Sequence, residues 1–342
     1  MARLKVLVVN AGSTSLKLSA VGDDEESEPV ESLATAPPVE AVAHRVVHGG
    51  ARFREPVLVD DEVRRELDEL TELAPLHNAP ALRALDEARR ELPSVPHVAV
   101  FDTAFHATLP PEASTYALPR RWREEWGIRR FGFHGLSVAW AAERVHVPRL
   151  VVCHLGGGCS VTAVLDGRSV DTTMGFTPLE GVPMGTRAGS IDPEIPLYLL
   201  RHRLLGLDEV ERRLEHDSGL VGLAGTEDMR ELESSEAPEA RLALGVFCHR
   251  VAGAVAGTAT ALGGLDALVF TAGIGEGSAS VRSDVCARLR FLGVDLDDDA
   301  NAAVVPDADV ATESSDVRVW VVHAREDVLA ARGARSLLAV QH

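Results

Sequence analysis

The chain has 342 residues, of which 46% are hydrophobic and 25% charged, enough apolar material for two ordinary domains. Its formal net charge of −18 argues against a broad nucleic-acid surface or an anionic membrane face as partner, yet leaves room for a small anionic substrate held by a few arginines in a cleft. Lys5 and Lys17 are the only lysines, so basic chemistry falls to arginine; Cys153, Cys159, Cys248 and Cys286 show no CxxC spacing and read as buried thiols rather than metal ligands. The opening apolar run is too short for a signal peptide and no stretch is expected to reach transmembrane length, which predicts a cytoplasmic protein.

Leu4–Val9 is a continuous aliphatic run that predicts a buried strand. It breaks at Asn10-Ala11-Gly12-Ser13-Thr14-Ser15 and resumes as Leu16–Val21, a hairpin whose turn of small residues and backbone N–H groups is a candidate phosphate cradle. Asp23–Pro38 is acidic and reads as an exposed loop, and Ala41–Val47 as a strand carrying Arg45. Asp60–Ala74 predicts a helix with Leu67, Leu70 and Leu73 inward, followed by a kinked stretch over Pro75–Pro80 and a separate helix over Ala81–Glu91. Val98–Phe101 is a further buried strand with Asp102 at its C-terminal end, where α/β proteins place their chemistry. His134 follows between aromatic and glycine neighbours in RFGFHG, ahead of a helix over Val138–Val145.

The second half repeats the first device. The strand LVVCHL (150–155) breaks at Gly156-Gly157-Gly158-Cys159-Ser160 and resumes as VTAVL. Two such hairpins imply a duplicated α/β architecture with one phosphate-gripping turn per half. A third Gly-rich break, Ala272–Gly277, follows the strand Ala267–Thr271 and leads into a helix over Ser280–Leu289, a loop and helix start suited to a nucleotide. Pro196–Leu205, Arg241–Leu262 and Glu326–Ala339 read as helices, the middle one rich in Ala and Gly and expected to pack tightly against the sheet; Asp295–Val310 is acidic and expected to be peripheral.

Met174–Pro193, MGFTPLEGVPMGTRAGSIDP, has neither helical nor strand periodicity, but its apolar residues anchor it as a linker's would not, which marks a working loop. Arg187 lies near its centre, flanked by Gly185 and Gly189. Taken alone, such an arginine reads first as the partner of a surface carboxylate.

Eight stretches in order, NAGSTSLK (10–17), HRVVHGG (44–50), LAPLHN (73–78), FDTAFH (101–106), GFHG (132–135), CHLGGG (153–158), the loop just quoted and TAGIGE (271–276), resemble the acetate kinase family across nearly the whole chain. The resemblance implies a duplicated actin-like (ribonuclease H-like) ATPase fold of the α/β class, with two domains around a central cleft. They are expected over residues 1–147, completed by a C-terminal helix over 324–342, and over 148–323. It further implies Mg²⁺-dependent phosphoryl transfer between ATP and acetate, giving ADP and acetyl phosphate, by a homodimer; Mn²⁺ is the alternative ion.

A carboxylate substrate is ionised at neutral pH and needs no general base. The obstacle is to bring one anion in line against a polyphosphate and to stabilise the charge that spreads over the transferring group. Arginine does this with a planar fork that stays charged. By resemblance Arg45 and Arg187 hold substrate and transferring phosphoryl, His134 donates a hydrogen bond to that phosphoryl, and Asp102 orients an arginine or Mg²⁺-bound water without abstracting a proton. Asn10 and Glu326 match the residues near the metal. Ser13, Ser15 and Lys17, then His154, Gly156, Gly157 and Gly158, and finally Gly273, Ile274, Gly275 and Glu276, match the nucleotide-binding turns. Val47, Leu76, Phe133 and Pro178 match the walls of the acyl pocket, although sequence does not separate that role from core packing.

The chain also departs from the family pattern. HLGNG becomes HLGGG at Gly157, GIGEN ends in Gly277, GFHGTSH becomes GFHGLSV with Leu136 and Val138, and Ala324-Arg325 replaces a polar pair before Glu326. Loss of the Gly157 side-chain amide predicts weak ATP binding unless a neighbour such as Ser160 substitutes or another donor is used. The alternatives are therefore a kinase using pyrophosphate, one acting on propionate or butyrate, or a nucleotide-binding relative with impaired catalysis.

Overall fold

The computed structural model describes residues 5–11, 16–73 and 75–340, with side chains except at 72, 73 and 75–77. Among these residues twelve strands occur: β1 Val6–Ala11, β2 Leu16–Val21, β3 Ser27–Val30, β4 Ala41–Val46, β5 Val57–Leu58, β6 His97–Phe101, β7 Arg149–Leu155, β8 Cys159–Leu165, β9 Arg168–Thr172, β10 Ala267–Thr271, β11 Ala308–Asp309 and β12 Arg318–Val321. The first six form one sheet in the order β3-β2-β1-β4-β6-β5, and the second six form another in the order β9-β8-β7-β10-β12-β11. Each sheet begins with an antiparallel meander, adds two strands parallel to the first strand of that meander, and closes with a short antiparallel edge strand. The same order and the same strand senses in both halves are the duplication expected from the two Gly-rich hairpins.

Alternation along the strands sorts side chains to two faces. Val6 and Val8 join Leu150, Val152, Ala267 and Val269 in a core between the sheets, shared with the helices Gly135–Arg144 and Glu326–Val340. Val328, Ala330, Ala331 and Ala334 of the last helix are buried there, and their small size lets it lie close to β1, β4 and β6. Leu7 and Val9 face the other way, onto Ala81, Ala84 and Ala88 of the helix Pro75–Glu91. Val151 and Cys153 likewise face outward, onto Phe247, Val251 and Val255 of Pro238–Ala259. All four cysteines are buried free thiols.

Several elements differ from the sequence expectation. Asp60 caps a helix that is α-helical only over Asp61–Glu69 and tightens to a 3₁₀ turn over Leu70–Leu73. The expected kink over residues 75–80 is instead the start of one continuous helix, Pro75–Glu91. Pro75 takes the first position, where a missing N–H costs nothing, and Pro80 falls early enough to forfeit a single bond. Asn78 fixes this helix, accepting from His48 N (3.0 Å) and donating to His48 O (3.1 Å). The acidic loop Asp23–Pro38 contains the edge strand β3, whose alternate residues are too polar for periodicity to reveal. The Gly-rich break Ala272–Gly277 is a short helix, separated from the helix Ala279–Arg288 by the extended Ser278, whose side chain caps the second helix at Val281 N. One stretch, Pro238–Leu262, does meet the length and apolarity of a membrane span, contrary to expectation; it is the core helix of the second sheet.

Candidate active site

The C-terminal ends of β1, β4, β6, β7 and β10 open onto one cleft of about 1510 Å³. Arg45 leaves β4 in register with Asn10 on β1, so the two side chains meet at the cleft floor. The guanidinium grips Asp102 with both branches, Nε to Oδ1 at 2.9 Å and Nη2 to Oδ2 at 2.5 Å. Its remaining nitrogen, Nη1, donates to Asn10 Oδ1 (3.0 Å) and lies 3.2 Å from Glu326 Oε2, at the start of the last helix. Burial works against the charge on Arg45, but Asp102 and Glu326 outweigh it and raise its pKa above the ordinary arginine value. Burial likewise raises Asp102 above the usual carboxylate value while Arg45 opposes it. The bidentate fork is the geometry of an ion pair, and it holds Arg45 rigidly.

Gly135 begins the helix Gly135–Arg144 by donating its N–H to Asp102 O (2.9 Å). A Cβ on Gly135 would stand 2.1 Å from that oxygen, so GFHG needs its second glycine for close backbone approach. His134, in left-handed conformation just before the helix, is thereby turned into the cleft. Its ring stacks on His154 with centroids 4.0 Å apart, and its Nδ1 meets Ser160 Oγ at 3.0 Å. Burial first, then His154, Arg45 and Arg187, hold its pKa well below the ordinary histidine value, so the ring is neutral at physiological pH.

The loop Met174–Pro193 lines the same cleft through Pro178 and Arg187. Arg130 pins its first residues, Nη1 donating to the carbonyls of Thr172 (3.0 Å), Thr173 (2.8 Å) and Met174 (3.0 Å) and Nη2 to Glu180 Oε1 (2.8 Å). The Tyr116 hydroxyl bonds Glu180 and receives Phe176 N (2.9 Å). Arg187 is paired through Nε with Glu215 Oε2 (3.4 Å) and donates from Nη1 to Pro178 O (3.3 Å). Burial lowers its pKa and Glu215 opposes that. A Cβ placed on Gly158 would lie 3.0 Å from His134 Nε2 and 3.6 Å from Arg187 Nη1. The two donors therefore converge on the bare backbone of the second glycine turn.

Asn10, Lys17, Arg45, Val47, Asp102, Phe133, His134, His154, Gly156, Gly157, Gly158, Pro178, Arg187, Gly273, Glu276 and Glu326 all line this cleft. Ser13 and Ser15 lie outside the described residues, as does the side chain of Leu76. Ile274 turns instead toward the core of the second sheet and Gly275 is buried. Glu276 is committed within the protein, Oε1 accepting from Ala272 N and Ala324 N at 3.0 Å each and Oε2 meeting His323 Nδ1 at 2.6 Å. Ser160 does not replace the missing amide at position 157, because it is fully buried against His134. Val47 and Phe133 are at once core residues and cleft wall, so the two sequence readings coincide.

Sequence reasoning missed Glu215, the Arg130–Tyr116–Glu180 brace, and Ser137, whose hydroxyl meets His154 Nδ1 at 2.8 Å. Only Ser160 had a signal: a three-residue turn in the second hairpin pairs it with His154. Among the described residues no three His, Cys, Asp or Glu side chains form a metal cluster. The oxygens of Asn10 and Glu326 nevertheless fit a hard divalent ion that keeps its waters and takes most of its ligands from nucleotide phosphate.

Two sheets of one topology, with arginines and glycine turns facing a shared cleft, define a phosphotransferase of the duplicated actin-like ATPase class. A sequence model of the Acetokinase family matches residues 30–332. The acetate kinase of Clavibacter michiganensis subsp. michiganensis is 49% identical over 321 residues, which cover 90% of this chain and 81% of that protein. The acetate kinase of Protochlamydia amoebophila is 42% identical over 308 residues, covering 88% and 78%. A propionate kinase structure from Francisella tularensis subsp. tularensis superposes with a TM-score of 0.90 at 32% identity, covering 96% of this chain and 98% of that one. The acetate kinase structure from Porphyromonas gingivalis gives 0.86 at 30% identity, covering 98% and 100%. This chain belongs to the acetokinase family and is a kinase of that family.

Proposed function

We propose that the cleft carries out reversible phosphoryl transfer between ATP and acetate, with ADP and acetyl phosphate as the other pair. The observation that carries this reading is the convergence of His134 Nε2 and Arg187 Nη1 on Gly158, across the cleft from an Arg45 fixed by Asp102. In this reading a carboxylate oxygen attacks the γ-phosphorus as the bond to the β-phosphate oxygen breaks and ADP leaves. Arg187 and the His134 N–H take up charge on the equatorial oxygens, and Arg45 orients the two anions. Asp102 abstracts no proton; its two oxygens are spent on Arg45. Val47, Phe133 and Pro178 wall the acyl end, too apolar to hold a second charged group. Asn10 and Glu326 would stand nearest Mg²⁺, which when bound screens the nucleotide phosphates.

The domains we assign are residues 1–147 with the C-terminal helix from 324, and 148–323, in keeping with the packing of Glu326–Val340 on the first sheet. A homodimer is supported by the exposed Ile191, Ile195, Leu197, Tyr198, Leu204 and Leu207, apolar residues grouped around the helix Glu194–Arg201. Four free thiols are in keeping with a reducing cytoplasm. The decisive experiment traps acyl phosphate as hydroxamate across ATP and pyrophosphate and across acetate, propionate and butyrate. Turnover with ATP and acetate is expected to lead; turnover with pyrophosphate alone, or none at all, would overturn the reading.

A further inference from the structure

Three imidazoles at or beside the cleft share one device, His106 and His154 buried and His134 partly so. His106 Nδ1 meets Ser169 Oγ at 2.8 Å, His134 Nδ1 meets Ser160 Oγ at 3.0 Å, and His154 Nδ1 meets Ser137 Oγ at 2.8 Å. All three serines are buried, Ser160 with no exposed surface at all. At His106 the proton positions follow from valence. Its Nε2 lies 2.8 Å from Phe133 O, which can only accept, so Nε2 carries the proton and Ser169 donates to Nδ1.

We infer that Ser160 is a positioning residue that donates its hydroxyl proton to His134 Nδ1, and so keeps the single imidazole proton on Nε2, the atom facing Gly158 and Arg187. The reverse arrangement would leave the Ser160 proton buried without an acceptor, since its oxygen makes no other hydrogen bond among the described residues. With the ring neutral, only one nitrogen can donate, and phosphoryl stabilisation requires that it be the one in the cleft. β8 sets this arrangement: Ser160 pairs with His154 across the hairpin, and the stacked His134 ring is clamped between them.

The inference rests on the role proposed for His134, and the tautomer is read in the resting enzyme so that its failure leaves the phosphotransfer reading standing. Histidine-selective ¹⁵N labelling and long-range ¹H–¹⁵N spectra, assigned with His134→Gln, report which nitrogen is protonated. In the unaltered protein we expect Nδ1 unprotonated and Nε2 protonated. Ser160→Ala should mix the tautomers and cut kcat about tenfold, the worth of one neutral hydrogen bond, with KM for acetate unchanged. Ser160→Thr, which keeps the hydroxyl, should recover most of that loss. A proton on Nδ1 in the unaltered protein overturns the inference even if the alanine variant fails to fold, as would a folded Ser160→Ala with full kcat.

Discussion

At Gly157 the chain gives up a side chain that the second glycine turn has room to carry. A Cβ there meets nothing within 4 Å, and the residue lines the cleft. Neither strain nor crowding imposes the glycine, unlike Gly158, whose Cβ would press on His134. Restoring an amide with Gly157→Asn should therefore add a donor to nucleotide phosphate without displacing anything. One bond to a charged group is worth about 1.5–3 kcal/mol, so KM for ATP should fall roughly ten- to a hundredfold with KM for acetate unchanged. Steady-state kinetics in both substrates check this, and a rise in KM for ATP would point to a different donor. Arg187 is the opposite case, a charge already buried and aimed. Arg187→Ala should lower kcat by roughly 10³ or more, the scale for an arginine acting on a transferring phosphoryl. Because the residue stands on a loop outside the strand cores, the circular dichroism spectrum should not change; near-normal turnover would remove it from the mechanism.

At the scale of elements, the loop Met174–Pro193 joins neither sheet; backbone bonds such as Ser190 N to Gly181 O (2.8 Å) and Leu220 N to Met184 O (3.0 Å) hold its later part, and side chains brace its start. Arg130 closes the carbonyls of Thr172, Thr173 and Met174, where β9 passes into the loop, with a single nitrogen and reaches Glu180 with another. Arg130→Ala removes a donor from three carbonyls and leaves the Glu180 carboxylate with only the Tyr116 hydroxyl, which should cost on the order of 3 kcal/mol. The loop should then exchange its amide protons faster, and kcat should fall because Arg187 rides on it. Urea unfolding and hydrogen exchange over residues 174–187 measure both effects; faster exchange elsewhere with this segment unaffected would contradict the brace.

For the whole molecule, buried histidines set a pH limit. Burial takes His48, His106 and His154 down to about 4, and holds His44 and His134 well below the ordinary histidine value. An unfolded histidine binds its proton near pH 6.5, so between about 6.5 and 4 the unfolded chain carries more protons than the folded one. Stability from these groups is complete above pH 6.5 and is lost as pH falls, by up to about 1.4 kcal/mol per pH unit for each histidine. Urea midpoints should drop steeply from pH 6.5 to 5, whereas a flat profile there would mean the rings are not held neutral. The apolar group around Glu194–Arg201 gives a second test at this scale: if the proposed homodimer forms through it, the unaltered chain should sediment as a dimer and Leu197→Asp as a monomer, whereas an equal mass for both would remove this face from the proposal.

What the amino-acid sequence determined by itself was local and repetitive. The aliphatic runs of β1 and β7, each broken by a glycine turn, were legible because a strand buried on both faces must be apolar at every position. The family motifs carried the resemblance, and with it the residues that line the cleft. The sequence did not show that Pro75–Glu91 would be one helix, since its prolines read as breaks until Asn78 is seen bonding His48. Nor did it show what surrounds each functional group. Glu215 on Arg187, Ser160 on His134 and Arg130 on Glu180 of the loop lie 26 to 50 residues from their partners. No local period encodes a contact between a loop and a strand from another part of the chain. Only the closure of two sheets around one cleft brings those groups to hydrogen-bonding distance, where burial fixes their charge and their proton.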